Sequence, residues 1–223
     1  MRRLLLAATM LGALVTQASA TTVVWSFNTP IGDQGQSHNY LGDDLTTLLN
    51  AQAFGPALNG NAAHLYGKND GSDENGLGLT NDPSGDHEIT VGSFVQFNLD
   101  ALNLISLNIS FQAGSTTDKE GWKVYGTNTA GSLTGATLLG RCDSKNNSGP
   151  GNDCEQIFNF ANGGNFNYLD VTADSGDDNI LVSHIDAQIA PVPAPIVGAG
   201  LPGLIAACGG LVALARRRRQ LVV

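Results

Sequence analysis

Basic side chains are scarce in this sequence, and most of the few present sit at its ends. Lysine and arginine number 11 of 223 residues, against 20 aspartates and glutamates. Six of the 11 are Arg2, Arg3, Arg216, Arg217, Arg218 and Arg219, which leaves Lys68, Lys119, Lys123, Arg141 and Lys145 in between. All 20 acidic residues lie between Asp33 and Asp186, so the central stretch carries −15, not the −9 of the whole chain. Such a surface repels phosphate backbones, which argues against nucleic acid as a partner and suits solubility or cation binding.

Catalytic and metal signatures are missing as well. The four histidines, His38, His64, His87 and His184, show no H-E-x-x-H and no paired spacing, and no cysteine pair stands beside them; this argues against zinc. Neither a G-x-S-x-G turn nor a phosphate-binding loop occurs, which leaves no sequence signature of acyl or phosphoryl transfer. Ser183, His184 and Asp186 are neighbours, but successive strand residues point to opposite faces, so Ser183 and His184 do not meet as nucleophile and base. With 20 carboxylates, some pair will fall roughly 5 to 9.5 Å apart by chance, so a glycosidase dyad is not signalled. The chain reads as non-catalytic.

What the ends do contain is apolar. Arg2 and Arg3 precede the run LLLAATMLGALV, and Ala18 and Ala20 then stand at the two small-residue positions of a signal-peptidase site. A basic start, a short apolar core and an A-x-A ending predict a secretory signal over 1–20, cleaved after Ala20. Near the other end, 196–215 (IVGAGLPGLIAACGGLVALA) is 20 residues without a charge, followed at once by Arg216 to Arg219. That length matches a membrane helix, and the arginines hold the tail 216–223 on the cytoplasmic side. The expected topology leaves 21–189 outside as one domain.

Export changes the meaning of the cysteines. Cys208 lies in the apolar run, whereas Cys142 and Cys154 flank the polar stretch DSKNNSGPGND. Disulfides persist outside the cytoplasm, and these two are expected to bridge. Closing so short a loop stabilises by about 3 kcal/mol on the chain-entropy argument.

Between the ends, short apolar segments alternate with Gly, Asn and Asp clusters, the pattern of an all-β domain. Residues 105–111 (ISLNISF) alternate strictly, Val95, Phe97 and Leu99 face one way with Gln96 and Asn98 facing out, and Leu181, Ser183, Ile185, Ala187 and Ile189 share one side of a final strand. Further strands are expected at 23–27, 64–68, 122–127, 137–140, 157–160 and 168–172. One helix is expected, over 43–53 (DDLTTLLNAQA), with Asp43 or Asp44 at its start and Leu45, Leu48 and Leu49 on one side. Nine or so short strands predict a two-sheet sandwich of jelly-roll type. Ala190-Pro191-Val192-Pro193-Ala194-Pro195 is an extended linker, since alternating prolines cannot join a central strand.

The acidic loop Asn69-Asp70-Gly71-Ser72-Asp73-Glu74-Asn75-Gly76 is the strongest chemical candidate. Calcium takes six to eight hard oxygens, and Asp70, Asp73, Glu74 and Asn75 supply them. The EF-hand spacing fails, because Gly71 stands where the first Asp belongs and no closing Glu follows; the alternative is a solvated turn, which uses the same residues. Asp174-Ser175-Gly176-Asp177-Asp178 is a second such turn. Trp25, Trp122, Tyr66, Tyr125 and Tyr168 are the aromatics for stacking on a sugar ring or, the commoner use, filling a core.

The tail, taken as Val192-Pro193-Ala194-Pro195, then 196–215, then Arg216 to Arg219, resembles the tripartite sorting signal of PEP-CTERM-type exported proteins. Val-Pro-Ala-Pro stands where that family has Pro-Glu-Pro. The resemblance implies recognition by an exosortase-type enzyme, passage through the inner membrane during processing, and delivery to the cell surface or extracellular matrix. Residues 121–128 with 137–140, and 166–173 with 180–189, resemble strands of galactose-binding-like sandwiches. Residues 73–79 followed by His87-Glu88 are similar to a pattern in domains attached to such tails. That likeness implies glycan binding, with extracellular polysaccharide as partner and sometimes a structural calcium. A secreted carbohydrate-active enzyme and a passive matrix component are the alternatives.

Overall fold

Two-residue alternation dominates the central stretch, and it forms strands. The computed structural model describes residues 21–56, 62–71, 74–102, 104–116, 120–143, 154–161 and 163–189. The expected leader 1–20, the motif Val192, Pro193, Ala194 and Pro195, the apolar segment 196–215 and Arg216 to Arg219 lie outside the described residues. Among the described residues no helix is long and apolar enough to cross a membrane.

The strands are β1 (Thr21–Ser26), β2 (Gly32–Asp33), β3 (Ser37–Leu41), β4 (Leu48–Phe54), β5 (Leu65–Asn69), β6 (Asn75–Leu79), β7 (Ile89–Thr90), β8 (Phe94–Asn98), β9 (Leu104–Gly114), β10 (Trp122–Thr127), β11 (Thr137–Cys142), β12 (Phe158–Phe160), β13 (Tyr168–Ala173) and β14 (Asn179–Ile189). One sheet runs β12-β9-β14-β6-β5-β2, with β1 and β7 also paired to β14; the other runs β11-β10-β13-β8-β4-β3. The ladders are antiparallel, as between β9 and β14 (Phe111 opposite Ile185) and between β1 and β14 (Trp25 opposite Ile185). The protein is an all-β sandwich of two antiparallel sheets.

One core joins the sheets. Val23, Trp25, Ile109, Phe111 and Ile185 from the first meet Leu49, Phe97, Trp122, Val124 and Val171 from the second. Phe111 packs edge-on to Trp122 across the sheets at 5.1 Å, and Phe27 reaches Phe97 at 5.2 Å. Each such side chain contributes about 1.5–3 kcal/mol through burial. Both indoles are satisfied within this core: Trp122 Nε1 donates to Cys154 O at 2.9 Å and Trp25 Nε1 to Thr47 O at 3.2 Å. Cys142 and Cys154 form the expected disulfide, their Cα atoms 5.7 Å apart.

The structure corrects three expectations. Residues 43–53 are not a helix but a turn leading into β4, where Leu49, Ala51 and Ala53 are buried and their neighbours are not. Asp44 does what a helix cap does, accepting from the N–H groups of Thr46 and Thr47 at 3.0 and 2.9 Å. Leu45, however, adopts a φ of 58° and points into solvent, which stops a helix before it starts. Gln96 does not face out: it is buried, donating to Asp170 Oδ1 at 2.8 Å and accepting from Gly131 N at 3.0 Å, because the segment after β10 folds over that side of the sheet.

In β14 the register shifts between Val182 and His184. Ile180 and Val182, not Leu181 and Ser183, therefore join Ile185, Ala187 and Ile189 in the common core. A bulge changes the face on which the alternation continues.

Candidate functional site

The acidic loop closes the hairpin of β5 and β6, whose register runs from Leu65 opposite Leu79 to Asn69 opposite Asn75. Its turn is tied internally: Asp70 N donates to Glu74 O at 3.1 Å, Glu74 N to Gly71 O at 3.2 Å, and Gly71 N to Asn75 Oδ1 at 3.3 Å. The segment 81–88 folds back over β6, with Leu79 N donating to His87 O at 3.1 Å. Gly78 permits this approach, since a side chain there would collide with the His87 carbonyl and with Leu181.

Beneath the two segments lies a buried polar cluster. Lys68 Nζ binds Glu74 Oε2 and, at 2.9 Å, Glu88 Oε1. Ser115 Oγ lies 2.8 Å from Glu74 Oε1 and 2.7 Å from Glu88 Oε1. Lys68, Glu88 and Ser115 are only 9%, 5% and 2% exposed. Burial works against the lysine charge, but hydrogen bonds to Glu74 and Glu88 outweigh it and hold the ammonium above the ordinary lysine range. The carboxylates divide: burial pushes Glu88 up, while at Glu74 burial is overcome by Lys68 and Ser115 and the pKa falls. Glu120 is pushed up to about 7 by burial and by the nearby Glu88, although Asn179 N donates to it at 3.2 Å. The cluster therefore clamps β5, the hairpin loop, the 81–88 segment and the end of β9 around one cation.

The expected calcium ligands fall in different surroundings. Both oxygens of Glu74 are engaged by Lys68 and Ser115, Asn75 Oδ1 takes the Gly71 N–H, and Asp70 faces a neighbouring cleft. Asp73 lies outside the described residues. A metal at this loop would draw on Asp70 and main-chain carbonyls in competition with the lysine. In the second acidic turn, Asp174 pairs with Lys123 at 2.9 Å and Arg141 at 2.8 Å, and Asp178 accepts from Ser175 N and Oγ at 2.9 and 2.8 Å.

The cleft beside the cluster has about 160 Å³ and is lined by Ile31, Tyr66, Asn69, Asp70, Asp86 and His87 among others. Tyr66 and His87 stack at 3.8 Å with their planes 24° apart. His87 holds a φ of 63°, and its buried Nδ1 has no hydrogen-bond partner among the described residues. A left-handed non-glycine backbone costs on the order of 1–3 kcal/mol and persists only when the surroundings over-determine it. Ile31 is 64% exposed, so the cleft offers an apolar patch rimmed by amide and carboxylate groups.

The five aromatics named from the sequence therefore part company. Trp25 and Trp122 are core, Tyr66 lines the cleft, and Tyr125 and Tyr168 are half-buried. Lys68, Glu88 and Ser115 did not stand out as a group because 47 positions separate the first from the last. One signal was present: Lys68 is a rare cation in a strongly acidic stretch and stands within an expected strand. No protein-family model, no curated protein and no solved structure matches the chain.

Proposed function

We propose that the chain is an exported cell-surface or extracellular-matrix protein whose sandwich binds glycan without turning it over. In this reading 1–20 is a cleaved signal peptide. The tail beginning at Val192 is a PEP-CTERM-like signal that an exosortase-type enzyme processes at the inner membrane. The sandwich is of the jelly-roll, galactose-binding-like kind. The observation that carries the binding part is the cleft at Tyr66 and His87. Sugar rings present C–H faces that rest on apolar and aromatic surface, and hydroxyls that seek carboxylates and amides. Ile31, Tyr66 and His87 offer the first; Asn69, Asp70 and Asp86 offer the second. The tie of Glu74 and Glu88 to one lysine and one serine favours a structural role for that pair.

The test is a glycan array and a hydrolase screen on the full chain in non-ionic detergent, with Tyr66→Ala beside it. Retention that weakens in the variant, without turnover, is the expected result. Turnover without retention would replace this reading with a secreted carbohydrate-active enzyme. Silence in both would leave a passive matrix component.

A further inference from the structure

On the outward face of the six-stranded sheet, one polar row runs from β3 to β10. Ser37 stands opposite Gln52, Gln52 opposite Gln96, Gln96 opposite Asp170, and Asp170 opposite Tyr125. Ser37 is exposed and Gln52 half-buried, whereas Gln96 and Asp170 are covered. Their cover is the segment 128–136, which joins β10 to β11. It folds back over β13 and β8 until Gly131 lies against the Phe54 ring on β4, where a side chain would collide.

This strap is loosely held. Most of its residues are exposed, and none carries a charge. It meets the row at Gln96: Gly131 N donates to Oε1 at 3.0 Å, and Thr129 O accepts from Nε2 at 3.5 Å. Asn167 N donates to Asn128 Oδ1 at 2.9 Å and anchors its base. A segment with so few buried contacts opens at a lower free energy than the strands beneath it. The strap also leaves Asp170 underserved. Oδ1 accepts from Gln96 Nε2 at 2.8 Å, but Oδ2 has no hydrogen-bond partner among the described residues.

The groups around Asp170 do not offset this burial. β8 supplies Gln96, β4 supplies Gln52 and Phe54, and β10 supplies the neutral phenol of Tyr125. Lys123 and Arg141, one row away, are paired with Asp174 at 2.9 and 2.8 Å. Under the closed strap, burial lifts the Asp170 pKa to about 7. Opening admits water and returns the carboxyl toward its ordinary value.

We propose that the strap 128–136 is a pH-operated cover, which loosens when Asp170 loses its proton and joins Gln96 and Asp170 to the exposed part of the polar row. This holds whether or not the Tyr66 cleft binds glycan. The closed form binds the proton more tightly, so closure is strongest below about pH 4. It weakens by up to about tenfold per unit between pH 4 and pH 7 and is constant above.

Hydrogen exchange of the full chain in non-ionic detergent, across pH 5–8, reads the cover at the Gly131 amide and the strands at β8 and β13. Rates are corrected for the intrinsic pH dependence of amide exchange. Protection at Gly131 is expected to fall about ten- to hundredfold between pH 5 and pH 7 and then level off, while β8 and β13 stay protected. In Asp170→Asn it is expected not to change with pH; Asp170→Ser removes the same ionisation should the asparagine variant not fold. A flat profile in the unaltered chain overturns the proposal. So does a fall in the variant equal to that in the unaltered chain, or a loss shared by β8 and β13, which is general loosening. Melting curves of each variant accompany the series, so that protection is read only from folded protein.

Discussion

Asp170 offers the sharpest energetic test of the fold. Its side chain is fully buried on β13, one oxygen accepting from Gln96 Nε2 at 2.8 Å and the other without a hydrogen-bond partner among the described residues. Burial raises its pKa from 3.8 to about 7, against the opposing pull of the Gln96 hydrogen bond. The folded state thus holds a proton that the unfolded state releases. Between pH 4 and pH 7 stability falls as pH rises, by about 1.4 kcal/mol per unit, and above pH 7 this contribution is constant. At that slope the full shift corresponds to roughly 4 kcal/mol, with relaxation around the carboxylate reducing it to roughly 2–4. Asp170→Asn keeps the shape and the Gln96 contact and removes the ionisation. Denaturant or thermal unfolding of both proteins across pH 4–8 should show near-equal stability at the acid end and a variant ahead by that amount at pH 8. A difference that does not change with pH would refute the buried, proton-holding site.

Other consequences are as direct. Lys68→Met leaves Glu74 and Glu88 facing one another without their cation, and is expected to cost about 3–5 kcal/mol at neutral pH. Part of that loss should return as pH falls and the carboxylates are protonated, which a pH series of melting curves will show. Because the ammonium already occupies the position between the carboxylates, chelation with EGTA is expected to leave the melting temperature unchanged. A calcium-dependent shift would instead identify the loop as a metal site. Replacing Cys142 and Cys154 together by serine should lower stability by about 3 kcal/mol in denaturant unfolding. Gly78→Ala forces a side chain into the His87 carbonyl and should destabilise by about 1–3 kcal/mol, the range of an overpacked position, read from the same unfolding curves.

The sandwich was legible wherever one face alone is buried. β9 and most of β14 lie over the alternating segments 105–111 and 181–189, and β10 begins and ends where a strand was expected, at Trp122 and Thr127. Where the rule failed, a local feature competed. At 43–53, Asp44 and the leucine spacing satisfy the start of a helix, and only the left-handed backbone of Leu45 reveals a turn. β6 (NGLGL) was not among the expected strands, because its glycines admit the 81–88 segment and Leu181, neighbours distant in sequence. Gln96 looks like a surface residue until the segment carrying Gly131 covers it. The acidic loop was found, but its partner Lys68 and the distant Ser115 were not, since a clamp that joins positions 68, 74, 88 and 115 is a property of the fold. Tyr66 was among the aromatics singled out, and its pairing with His87 across the hairpin could not be read from spacing.

Mass analysis of the mature protein from fractionated cells of the producing organism tests the central claim most directly. Envelope or extracellular material that begins at Thr21 and has lost Arg216 to Arg219 is the expected result. Soluble cytoplasmic protein with Met1 intact would contradict it.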